Sequence, residues 1–101
     1  MGLFGFGKKK NQEPINLKSL LSAAELELLV AEMQTVANRV PGETSSIISA
    51  TAKTIAEGDS IPHTSGLDLC ISALNMTNSF KEARPGNREL LSKLESIKKQ
   101  S

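Results

Sequence analysis

The feature that most constrains this chain is the periodicity of residues 22–39. Leu26, Leu29, Val30, Met33, Val36 and Ala37 recur there at three- and four-residue intervals, and Val40 just beyond continues the series. That spacing gathers them on one side of an α-helix and on no single side of a strand. Both ends carry matching punctuation. Ser22 stands three residues ahead of Glu25, the capping-box pattern in which the hydroxyl accepts from an early helix amide and the carboxylate reaches back. Glu25 and Glu27 sit at the positive end of the helix dipole and Arg39 at the negative end. Pro41 disfavours helical backbone at Val40, and Gly42 completes the stop. A stripe of this kind must be covered, so the other segments are expected to pack around it. Glu25, Glu27, Glu32, Gln34 and Asn38 read as lying mainly off the stripe. Leu28 also falls off it, which predicts contact on a second side.

The remaining segments read as helices too. Residues 15–21 hold Ile15, Leu17, Leu20 and Leu21 in a short turn, with Asn16 as its cap. In residues 44–57, Ile47, Ile48, Thr51, Ala52 and Ile55 share a face, although β-branched residues weaken helix propensity. Small residues there permit close approach to a neighbour, and Gly58 is the expected stop. Residues 58–65 form the longest internal connection. Ser65 and Asp68 make a second capping-box-like pair at the head of a helix over 66–83. That helix has two stripes, Leu69, Ala73, Met76, Phe80 and Leu67, Ile71, Leu74, which suggests a central position. Pro85 and Gly86 follow it, and Asn87 is the expected cap of a last helix carrying Leu90, Leu91, Leu94 and Ile97. No alternating strand and no two-residue hairpin turn is evident. The predicted fold is all-α: a small antiparallel four-helix bundle over residues 15–101 with a short extra N-terminal helical turn, preceded by a flexible basic and apolar arm over residues 1–14.

Composition narrows the function classes. With 101 residues, 39% of them hydrophobic, the chain supports one core and not two. No run of apolar residues is long enough to span a bilayer. A single cysteine excludes an internal disulfide, and the expected location is cytoplasmic, with membrane association through the arm as the variant. The arm does not read as a secretory signal, because its lysines follow the apolar residues and the apolar stretch is short. The net charge of +1 conceals an uneven layout: three lysines and no acids in residues 1–10, three basic against eight acidic residues in 11–80, and six basic against three acidic in 81–101.

Chemistry-bearing patterns are sparse. Gly2 to Lys9 reads G-x-x-x-x-G-K-K, one hydroxyl short of a phosphate-binding loop and with no strand before it. Phe6 stands where an N-myristoylation pattern needs Ser or Thr. His63, the one histidine, follows Pro62 among turn formers and capping residues. Cys70 lies in an apolar segment with no basic neighbour in sequence, which predicts a buried, inert thiol. No catalytic, cofactor-binding or metal-ligating set is predicted, and no small-molecule substrate.

The least ordinary feature is the arm, which holds Phe4 and Phe6, two of the three aromatic residues of the chain. Leu3, Phe4 and Phe6 either fold back into a gap in the bundle, or dip into a bilayer surface while Lys8, Lys9 and Lys10 meet acidic headgroups, or do nothing. The leading expectation is a small, non-enzymatic helical interaction or assembly module that binds another protein or itself. Leu28, Leu67, Ile71 and Leu74 are its candidate interface. A peripheral membrane-surface protein recruited by the arm is the first alternative. A weak nucleic-acid binder using Lys81, Arg84, Arg88, Lys93, Lys98 and Lys99 is the second, with the interleaved Glu82, Glu89 and Glu95 against it.

Overall fold

The structure, a computed structural model, describes residues 13–100. Leu3, Phe4, Phe6, Lys8, Lys9 and Lys10, and the Gly2–Lys9 pattern, lie outside the described residues. Within them the chain is all-helical: α1 (Leu17–Leu20), α2 (Ala23–Arg39), α3 (Gly42–Ala56), α4 (His63–Ser79) and α5 (Asn87–Lys99). Four longer helices and one short extra turn make a small bundle. The pairings α2–α3, α2–α4 and α4–α5 are its largest, and they are compatible with antiparallel neighbours.

Helix α2 is the organising element. It touches each of the other four helices, and Leu29, Met33 and Val36 on its stripe are completely buried. Its start is the capping box read from sequence: the Glu25 amide donates to Ser22 Oγ at 3.1 Å, and the Ser22 amide donates to Glu25 Oε1 at 2.8 Å. Its end receives help from α3, where Ser45 Oγ donates to the Ala37 carbonyl at 2.6 Å. This occupies one of the carbonyls a helix terminus leaves without an intrahelical partner.

Helix α3 forms despite its β-branched content, and Ile48, Ala52 and Ile55 bury its inner face. Gly58 stops it with φ +83°. The Gly58 amide donates to the Ile55 carbonyl and the Asp59 amide to the Thr54 carbonyl, each at 3.1 Å, which is a Schellman closure. The same closure ends α4, with Lys81 in glycine's place at φ +63°. An L-residue in that region costs about 1–2 kcal/mol.

Boundaries of α3, α4 and α5 differ from the sequence reading. Helix α3 starts at Gly42, two residues before the expected 44, and ends at Ala56. Helix α4 begins at His63 instead of after Ser65, and Ser65 makes no cap; the N-cap is Pro62, with no side-chain hydrogen bond. The first turn closes on Pro62, whose carbonyl accepts from the Gly66 amide at 2.9 Å, and Gly66 is buried against Ile61. A Cβ at Gly66 would fall 2.8 Å from Ile61 Cδ1. Helix α4 also ends at Ser79, several residues before Arg84. Finally, Asn87 is not a cap. Gly86, at φ +94°, takes the N-cap position, and Asn87 is buried as the first residue of α5. Its amide has internal carboxylate, hydroxyl and carbonyl partners, which hold the side chain inward.

A two-residue clasp ties the N-terminal end to the α3–α4 connection. Ile15 and Ile61 exchange backbone hydrogen bonds of 2.8 and 2.9 Å, an isolated bridge and not a sheet. Asn16 caps α1 by accepting from the Lys18 amide, as expected, and its Nδ2 donates to the Gly58 carbonyl at 2.8 Å.

Candidate interaction surface

The two flanks of α2, on either side of its buried stripe, have opposite chemistry. One carries Glu25, Glu32 and Arg39, seven residues apart and so nearly in line along the helix. Each reaches a charge from the far end of the chain. Glu25 Oε1 meets Lys93 Nζ at 2.9 Å, Glu32 Oε2 meets Arg84 Nη1 at 2.6 Å, and Arg39 Nη1 meets Glu82 Oε2 at 2.6 Å. Arg39 also lies over the Phe80 ring, 4.7 Å from its centroid, a cation–π contact.

Glu32 is the centre of this ladder and has no exposed surface. It lies off the stripe as its position in the sequence predicts, and its complete burial is what the sequence reading did not anticipate. Its Oε1 accepts from Thr77 Oγ1 and Asn87 Nδ2, each at 2.6 Å, and its Oε2 accepts from the Arg84 side chain. Burial alone would raise the carboxyl pKa. Hydrogen bonds from Thr77, Arg84 and Asn87 outweigh it, so the group titrates below the ordinary carboxylate value and stays ionised. Among the described residues no buried side-chain nitrogen or oxygen lacks a partner. One carboxylate thus joins α2, α4, the connection after α4 and the start of α5. Leu28, one turn before Glu32, packs on the same flank beside Pro85, Gly86 and Leu90. That agrees with the second-side contact its position predicts. The sequence signal for the ladder was the seven-residue spacing of Glu25, Glu32 and Arg39.

The opposite flank, where α2 meets α3, is open. Leu21, Ala23, Leu26, Val30, Ala31 and Ala56 line an apolar depression of about 490 Å³, with Lys18 and Glu27 at its edge. Val30 and Ala56 are shared with a second depression along the same helix pair, which is lined by Gln34, Lys53, Ala50 and the hydroxyls of Ser45, Ser46 and Ser49. The two form one groove over roughly three turns of α2, about 16 Å at the helical rise. Leu26 and Val30 stay only partly buried there.

The candidate interface residues from sequence are split by the fold. Leu67 and Leu74 are completely buried and belong to the core, so they offer no surface to a partner. Ile71 is half-buried beside Glu95, Lys98 and Lys99. Among the residues named for nucleic-acid contact, Arg84, Lys93 and Lys98 are engaged by Glu32, Glu25 and Asp68. Cys70 is fully buried, its Sγ 3.9 Å from Met33 Sδ, and burial pushes its thiol up to about 12, far from a thiolate nucleophile. His63 opens α4 and is half-buried. Among the described residues, no group of three or more His, Cys, Asp or Glu could hold a metal ion, and no helix is long and apolar enough to cross a membrane.

In comparisons with known proteins, no family model, no curated protein and no solved structure matches the chain.

Proposed function

We infer that the protein is a helical interaction module whose working surface is the groove between α2 and α3. The observation that carries this reading is the contrast across α2. The flank facing α5 is closed by an ion-pair ladder, while the flank facing α3 keeps Leu26 and Val30 accessible beside small side chains. Ala23, Ala31, Ala50 and Ala56 let another backbone approach, and apolar anchors one helical turn apart suit a helix or short apolar segment laid in a groove. Chemistry by side-chain acid, base or nucleophile finds little support in the same residues, since the buried carboxylate is fully bonded and the thiol is protonated.

A photo-crosslinking amino acid placed at Val30 tests the reading. Val30 should give a discrete adduct, whereas Ile47, apolar and 54% exposed on a different face of α3, should give none. Equal labelling from both positions, or none from Val30, would remove the groove as the working surface.

A further inference from the structure

We propose that the resident occupant of the α2–α3 groove is the chain's own residues 1–12, with Leu3, Phe4 and Phe6 seated against Leu26, Val30 and Ala31. This rests on the groove being the working surface and names what fills it when no partner is present.

Two observations converge on that occupant. The first is chemistry. The apolar half of the groove needs large apolar side chains, and Leu3, Phe4 and Phe6 supply them in four positions. The glycines at 2, 5 and 7 let that backbone bend against a helix pair without steric cost. The second is reach. The clasp holds Ile15 against Ile61, and Leu21, six residues later, already lines the groove. Phe6 is nine positions before Ile15, an extended span of about 30 Å, while the stretch from Ile15 to Leu21 covers at most about 20 Å. The segment can therefore return to the groove from its anchored end.

Attachment in cis makes the contact effective even when it is intrinsically weak, because a short linker holds the segment at about millimolar local concentration. A partner must then displace residues 1–12, and its apparent affinity falls by the fraction of time the groove is filled.

A nitroxide on the full-length Gly2→Cys variant tests this directly. Cys70 is buried and protonated, so the new thiol is the one that labels. The amide signals of Leu26, Val30, Ala31 and Ala56 should lose most of their intensity, while Ile47 and Lys93 keep theirs. Adding Phe4→Ala and Phe6→Ala should restore the lost signals. The proposal is overturned by uniform broadening, by no broadening, or by broadening of an isotope-labelled copy mixed with a spin-labelled one, which would place the segment in a neighbour. It is also overturned if the bundle shows no mark and the full chain sediments with phosphatidylserine vesicles through these same residues. The Val30 crosslink separates the two readings. An adduct to another protein without nitroxide broadening leaves the groove standing and removes residues 1–12 from it.

Discussion

The two flanks of α2 solve the same problem in opposite ways. The Glu32 flank buries a charge and surrounds it with donors until nothing is left over. The Val30 flank keeps its polar groups at the rim and leaves apolar surface uncovered. A buried ion pair contributes little net stability over a hydrophobic replacement, but removing one of its members is costly. The ladder is therefore better read as a device for register: Arg84 and Asn87 can reach the Glu32 carboxylate in one arrangement of the 80–87 connection. Apolar area stabilises nothing while it is uncovered, and its value appears only when something covers it.

This contrast can be broken most severely at its centre. Glu32→Ala leaves Thr77 and Asn87 without their carboxylate and opens a cavity, so a loss of about 3 kcal/mol is expected in chemical denaturation. A loss below 1 kcal/mol would mean the network can be rebuilt around water.

Acid should act on the same flank. Glu32 and Glu25 titrate below 4.5 in the folded chain. Their contribution is therefore complete above the unfolded-state value and is lost as pH falls through the lower folded values. Denaturation midpoints should be flat near neutrality and drop below about pH 4.5, and Glu32→Gln, already weaker at neutral pH, should show a shallower drop.

Lys81→Gly sharpens the comparison in the stabilising direction. It relieves the left-handed backbone at the end of α4, just before the ladder's Glu82 and Arg84, and should add about 1 kcal/mol. A thermal melt that does not rise would show that the lysine's stem supplies a compensating contact. The smallest effect is expected on the open flank. Val30→Ser should change stability by less than about 1 kcal/mol, since the side chain is only partly covered, yet weaken whatever occupies the groove. A large destabilisation there would make the groove a part of the core.

Legibility in the sequence follows the same division. The stripe of α2, the Ser22–Glu25 box, the Asn16 cap and the Gly58 stop were readable because each is decided within four residues. The start of α4 was missed because its N-cap is Pro62 with no side-chain hydrogen bond, so nothing marks it locally, while the Ser65–Asp68 pair looks like a cap and is not one. Asn87 read as a cap and Glu32 as one more acid off the stripe, but each is claimed by the other across 55 positions of chain. The groove was invisible for a related reason. Leu26 and Val30 look like the rest of the stripe, and only the narrow residues α3 presents show that part of it stays uncovered. Leu67 and Leu74, which looked like surplus surface, were absorbed once α4 met α2 and α5.

The clasp between Ile15 and Ile61 has a mechanical consequence. Two backbone hydrogen bonds and the Asn16–Gly58 bond close a loop that encloses α1, α2 and α3. Tension applied through the leading end of the chain would load those three bonds before any strain reached α2. A tug from that side would thus be absorbed at the α3–α4 corner, with the bundle's interior shielded until the clasp gives way.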